Sequence, residues 1–463
     1  MLKIYNTTTK QKQNFKPLHD KQVGFYHCGP TVYWTQHIGN LRAVVLADLI
    51  NRSLNYLGYK VKLVRNYTDV GHLTSDSDEG QDKMEKSAQQ EKLTPEQIAD
   101  KYIKIYEQDV KDLNVLEPFK KPKATDHIKE MIKMVQILID KGYAYATDLA
   151  IYYDVSKFED YTKLNKQDLS KNISAAGKGE VGDPGKRNSA DFALWFFKAG
   201  THKNALQTWK HKFKNIEQTT DEGFPGWHIE CSAMSQKYLG DTLDIHMGGV
   251  EHIPVHHTNE IAQSEAVTGK IFTNYWVHNE HLTVDGGKMS KSLGTSYSLE
   301  EIRQKGYDPL VLRYFYLGAH YRSKQNFTWE ALESANNAYT SLKNKLASIS
   351  KVGKVNREWK EKFTQALEDD FNLPQALAIV WDLFKSDVKE EDIKATILDM
   401  DKVLGLDLDQ EEKIPKEIIK LAEDRLKAKA DKDYDLSDKL RAEIENHRYV
   451  IEDTKEGYNL KKK

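Results

Sequence analysis

Apolar positions in the first quarter of the chain change period twice. Val23 to His27 is a short unbroken apolar run, which reads as a buried strand, and Gly29-Pro30 breaks it just after Cys28. From about His37 the sequence HIGNLRAVVLADLINRSLNYLG carries apolar residues three and four apart. That spacing predicts a helix, with Gly58 as its stop signal. KVKLVRNYT, Lys60 to Thr68, predicts a second strand. A helix between two strands implies a right-handed parallel crossover. Strand, Gly-containing turn and helix N-terminus together make the geometry that holds phosphates on free backbone amides.

The polar stretch from Asp69 to Lys86 reads as a loop. Helices are predicted from Thr94-Pro95 to about Leu113 and from Thr125, as N-cap, to Lys141, with Gly142 beyond its end. Tyr143 to Val155 then alternates and turns near Thr147-Asp148, as a hairpin does. Tyr161 to Asn188 is polar and rich in glycine and predicts a mobile loop. The α/β pattern resumes at Gly226. A helix over Trp227–Leu239, a strand over Thr242–His246 and a helix from Pro254 to Thr268 follow, Pro254 falling in the first turn. A strand over Tyr275–Val284 leads to the Gly-flanked basic loop DGGKMSKSLG, and Ser298-Leu299-Glu300-Glu301 forms a capping box. From Trp329 to about Leu406 nearly every segment has helical period. An acidic linker reaches Pro415, and the last fifty residues read as a helical hairpin with a small strand region.

This pattern predicts an α/β protein with a Rossmann-type parallel-sheet domain in two halves, 1–119 and 226–328. An insertion over 120–225 splits the halves; a helical bundle over 329–406 and a small module over 407–463 follow. A chain of 463 residues is too long for one core, which agrees with several units. Its hydrophobic share of 39% and charged share of 30% are those of a soluble globular protein. The net charge of −2 supplies no global field for nucleic acid, so such a partner must meet local patches. Two cysteines exclude a disulfide framework and suit a reducing compartment. The first residues lack the apolar centre of a signal peptide and no run approaches a membrane span, so a cytoplasmic location and no membrane partner are expected.

Both cysteines fall near helix starts or strand ends. Cys28 closes the first strand, and Cys231 lies in GWHIECSAM at the start of a helix, where a thiol pKa is lowered. His256 and Glu260, four apart in HHTNE, share a helix face. Together Cys28, Cys231, His256 and Glu260 would make a tetrahedral zinc site. The spacing is not that of a compact zinc finger, and two buried thiols beside a solvated helix face satisfy it equally well. Lys288 and Lys291 lie on a Gly-flanked loop, where two ammonium groups suit the charge that develops on a triphosphate; an ordinary solvated loop would carry such a pair too.

HIGN near the N-terminus with KMSKS some 250 residues later resembles the class I aminoacyl-tRNA synthetases. CGPTVY, PGWHIECSAM and HHTNEIAQSEA together resemble the cysteinyl-tRNA synthetase family. The likeness runs on through DDFNLPQAL to LSDKLRAEI and VIEDTKEG near the C-terminus. It implies that Cys28, Cys231, His256 and Glu260 are ligands of one Zn2+ per chain. It implies that His37 and Asn40 stand on the histidine positions of the HIGH motif and hold ATP beside Gly39. Lys288 and Lys291 fall on the KMSKS lysines. Thr68 and Trp227 fall on the cysteine pocket with His246 beside it, and Gly249 and Glu251 fall on a stretch near the nucleotide ribose. The chain departs from the family in three places: Asn40 replaces a histidine, MGGVE replaces GGGSD, and VHHTNE replaces PHHENE. The implied reaction joins L-cysteine to ATP, with Mg2+, and passes it to tRNA(Cys). The 329–406 bundle is then DALR-like and the last module binds the anticodon; a monomer is expected. Two other functions share these motifs, a cysteine ligase acting on an amino sugar and a non-catalytic paralogue that binds zinc and tRNA.

Overall fold

The structure is a computed structural model that describes residues 1–70, 83–166, 183–289, 294–409, 415–447, 449–454 and 457–462. Its central sheet has four parallel strands: β1 (Gln22–His27), β2 (Lys60–Arg65), β3 (Leu243–Gly249) and β4 (Thr273–Asn279). Their order is β4-β3-β1-β2, with Phe25 facing Leu63 on one side and Ile245 on the other. Alternate residues go to opposite faces, as the two-residue strand period requires. Phe25, Met247 and Val277 join the core under α1 (Ile38–Tyr56). Tyr26, Val64 and Trp276 join the core under α2 (Trp227–Leu239) and α3 (His256–Thr268). Both faces are covered, so β3 is buried along its whole length. The strands are added outward in opposite directions from β1 and β3, and the crevice beyond the C-terminal ends of these two is where open α/β sheets bind ligands.

Several predicted boundaries move for identifiable reasons. The second strand stops at Arg65 and not Thr68, because Asn66 to Thr68 turn to bond the segment after β1. Gly29 N–H donates to Asn66 Oδ1 at 2.9 Å, and Thr68 exchanges backbone bonds with Pro30 and Val32, both 3.1 Å. A Cβ on Gly29 would sit 1.7 Å from the Asn66 carbonyl oxygen, so this approach needs glycine. Thr125 is not an N-cap. It lies in a 3-10 turn, Ala124–His127, and bonds Asp69 through both its N–H (2.9 Å) and its hydroxyl (2.6 Å). Pro254 stands before α3, which begins at His256. The single strand expected over Tyr275–Val284 divides into β4 and Leu282–Val284, which pairs with Gln325–Phe327. Glu280 N–H turns to the Tyr321 carbonyl at 2.9 Å, and that ends β4.

Between the halves lies a five-stranded antiparallel sheet that contains the expected hairpin, Ala144–Ala146 against Ala150–Tyr153. Residues 167–182 of the expected loop lie outside the described residues. Helices Trp329–Ala347, Arg357–Glu368, Leu373–Leu383 and Glu390–Leu404 form the bundle. The expected linker is packed at its start, since Leu406 and Leu408 are buried in the bundle core. A buried ion network ties that bundle to α1. Asp48 Oδ2 accepts from Arg52 Nε at 2.8 Å and Arg313 Nη2 at 2.7 Å, and Arg313 Nε donates to the Leu404 carbonyl at 2.7 Å. Helices Lys416–Ala430 and Tyr434–Asn446 with a hairpin, Tyr449–Thr454 and Gly457–Lys462, share a separate core of Ile418, Ala422, Ile444, Tyr449 and Ile451.

Candidate active site

A cavity of about 480 Å³ opens at the C-terminal ends of β1 and β3. Cys28, Cys231 and His256 line one part of it; His37 and Asn40 line another. Thr68, Trp227, Gly249 and Glu251 also reach it.

At the first part, one atom from each of Cys28, Cys231, His256 and Glu260 lies within 4.8 Å of the other three. The sheet and two helices bring them there: Cys28 follows β1, Cys231 sits in the first turns of α2, and α3 presents His256 and Glu260 one turn apart. His256 Nε2 meets Glu260 Oε1 at 2.7 Å. Burial would depress His256, but the Glu260 carboxylate overrides it and raises the imidazole to about 10. Burial would likewise raise Glu260, yet His246 and His256 hold it below the usual carboxylate range. The Cys28 thiol is pushed up by burial and by its neighbours Cys231 and Glu260. Cys231 falls to about 6, because it accepts a hydrogen bond from Cys28 and, against its burial, a second from His256. Two thiols, an imidazole and a carboxylate are the donor types zinc takes, in the number a tetrahedral site needs. A second set, Cys28, His246, His257 and Glu260, is equally compact. It holds one sulfur where the first holds two, so the first is the softer and better zinc site.

At the other part, His37 caps α1. Its Nδ1 accepts from the backbone N–H groups of Gly39 (3.1 Å) and Asn40 (3.2 Å), and Asn40 Oδ1 accepts from His37 N–H at 3.4 Å. With Nδ1 accepting, the His37 proton sits on Nε2. The Asn40 replacement is thus one half of a capping box. Gly39 also makes room for the basic loop, since a Cβ there would lie 2.1 Å from Met289 Cε. Gly287–Lys288 pairs with Thr283 and Val284. Lys291 and the side chain of Lys288 lie outside the described residues.

Of the remaining expected residues, Thr68 is buried and its hydroxyl accepts from Asn66 Nδ2 at 3.3 Å. The Trp227 ring lies 4.4 Å from that of His256. Gly249 and Glu251 are adjacent to each other at the cavity, where a Cβ on Gly249 would meet both Glu251 carboxylate oxygens at 2.2 Å. His246 is fully buried behind Glu260, bonded to Oε2 and stacked 4.5 Å from Trp276. From there it orients a candidate ligand.

Sequence reasoning missed the histidines around this cluster. His257 Nδ1 bonds His278 Nε2 at 2.7 Å, and His278 Nδ1 bonds the Thr7 hydroxyl at 2.7 Å. His228 Nδ1 faces His256 Nδ1 at 2.9 Å. Burial depresses His257 and His278, and takes His252 down to about 4 with the help of His256. His257, His228 and His252 adjoin motif residues and could have been flagged; His278 carries no local signal.

The doubly wound sheet carries this cavity at its switch point, beside the capped start of α1, and it is the catalytic domain of a class I tRNA synthetase by the following match. Residues 14–337 match the family of class I (C) tRNA synthetase catalytic domains, and residues 362–409 match the DALR domain. The chain is 42% identical to cysteine–tRNA ligase 1 of Burkholderia lata over 99% of its own length and 96% of that protein. It is 41% identical to the cysteine–tRNA ligase of Treponema denticola, over 98% of each. The chain belongs to the cysteine–tRNA ligase family. Its fold is similar to that of Mycobacterium tuberculosis methionyl-tRNA synthetase in complex with methionyl-adenylate, with a TM-score of 0.55 over 83% of this chain and 90% of that one, at 14% identity. No helix among the described residues is long and apolar enough to cross a membrane.

Proposed function

We propose that this chain activates L-cysteine with MgATP to cysteinyl-adenylate and transfers the cysteinyl group to the 3′ end of tRNA(Cys). One observation carries the reading: the sulfur-rich donor cluster and the capped N-terminus of α1 line the same cavity. The first suits a thiol; the second, through the positive end of its helix dipole and the His37 Nε2–H, suits a triphosphate. Cys28, Cys231, His256 and Glu260 would hold one zinc. When bound, zinc supplies a Lewis acid that takes a thiolate strongly and gains little from a serine hydroxyl.

The cysteine carboxylate attacks the α-phosphate and pyrophosphate leaves. This needs alignment and charge stabilisation and no general base. His37 Nε2–H and the positive end of the α1 dipole hold the triphosphate beside Asn40 and Gly39, while Lys288 and Lys291 meet the charge of the transition state. Gly249 and Glu251 hold the ribose, and Thr68 and Trp227 wall the cysteine pocket. The domain division 1–119, 120–225, 226–328, 329–406 and 407–463 follows the element pattern, with the last module for the anticodon. A location in the cytoplasm and a monomeric state belong to the same reading. Cysteine-dependent ATP–pyrophosphate exchange together with charging of tRNA(Cys) by the purified protein tests it. Exchange without charging would favour the amino-sugar ligase; neither activity would favour a non-catalytic paralogue.

A further inference from the structure

His252 closes the 3-10 turn Val250–His252 that follows β3. Its ring lies 5.3 Å from that of His256, 5.1 Å from His257 and 6.4 Å from Trp227, on the side of the donor cluster. Its chain neighbours Gly249 and Glu251 belong to the nucleotide side, and His252 itself lines the cavity. Nδ1 is shut against the backbone, since a Cβ on Gly248 would sit 2.5 Å from it, and it is buried with no hydrogen-bond partner. A buried N–H without an acceptor is rarer than a buried acceptor without a donor, so the ring proton belongs on Nε2. The residue is only partly buried, which leaves the Nε2 edge to the cavity.

We infer that His252 donates an Nε2–H hydrogen bond to the substrate where the cysteine carboxylate joins the α-phosphate. This rests on the adenylation reading above. The thiol end of the substrate is fixed at the donor cluster and the ribose at Gly249 and Glu251, so the group that links them passes His252. That group offers oxygen acceptors throughout, first as carboxylate and then as mixed anhydride. A neutral imidazole donates to those oxygens without repelling the substrate ammonium, as a lysine or arginine there would.

Three variants test the inference. His252→Gln reaches the Nε2 position with an amide N–H; His252→Asn reaches only the Nδ1 position; His252→Leu removes both nitrogens. Leu and Asn are expected to lower kcat/KM for cysteine-dependent ATP–pyrophosphate exchange by about 10- to 100-fold, the range of one hydrogen bond to a charged group, with Gln within about 3-fold of the parent. Affinity for a non-reactive cysteinyl-sulfamoyl adenosine should fall in parallel, while affinity for ATP alone and zinc content stay unchanged. Full activity of His252→Leu overturns the inference. So does equal impairment, or equal loss of fold, in Gln and Asn, and so does loss of zinc together with loss of activity. Failure of the adenylation reading is distinct, because the parent protein would then show no cysteine-dependent exchange.

Discussion

His256 Nε2 lies 2.7 Å from Glu260 Oε1, one turn along α3, inside the set of four donors completed by Cys28 and Cys231. A metal placed there replaces a proton shared between two of its own ligands. His246 and His228, which bond the far sides of the same pair, then hold carboxylate and imidazole in orientation, as outer partners of metal ligands do.

Metal analysis of the purified protein is expected to find close to one zinc per chain. Cys231→Ser should lose both the metal and the preference for cysteine over serine, because a hydroxyl is a poor zinc ligand at neutral pH. A metal-free protein with full activity would overturn this assignment.

Asn40 is expected to have two separable roles. Asn40→Asp keeps the acceptor that meets His37 N–H but loses the amide donor and adds negative charge toward the triphosphate. It should raise KM for ATP at least about 10-fold with stability unchanged. Asn40→Ala should raise KM and also lose about 0.5–1 kcal/mol of stability, the scale of a helix-cap bond. Equal stability loss in both variants would contradict the capping role.

Lys291→Ala should lower kcat for adenylate formation far more than it weakens cysteine binding, since a contact made mainly in the transition state shows in kcat. Pre-steady-state measurement of adenylate formation alongside cysteine affinity checks this. A loss confined to cysteine affinity would remove Lys291 from the reaction.

Asp48→Ala should destabilise the chain by about 3–5 kcal/mol in urea unfolding, because it leaves Arg52 and Arg313 buried without their shared carboxylate. Arg313 also bonds the Leu404 carbonyl, so the bundle should loosen from α1 in the same variant. A change under about 1 kcal/mol would show that the network is dispensable.

Truncation after Asp409 should leave cysteine-dependent exchange nearly intact and raise KM for tRNA steeply, since the C-terminal module has its own core and none of its described residues lines the cavity. Binding of tRNA by the full chain should weaken with salt. Equal charging by truncated and full chains would refute an RNA-binding role for the module. Tyr449 belongs to the module's core, and the partly buried Tyr458 packs at its edge.

Elements whose signals are local were legible in the residues alone. The three-four period of α1, the capping box at Ser298 and the hairpin after Tyr143 all form as expected, because each depends on residues within a few positions. The two cysteines and HHTNE were legible as donors, and the spacing of four placed His256 and Glu260 on one face. That the thiols meet that face emerges from the folded chain alone, because 203 positions separate Cys28 from Cys231 and the sheet order, not the spacing, brings them together. The tertiary structure also decided that β2 stops at Arg65, that Asn40 completes a cap, that His246 stands behind Glu260 and that His252 reaches the cavity. Each of these depends on what packs against a residue from another strand or helix, and local periodicity holds no record of that partner.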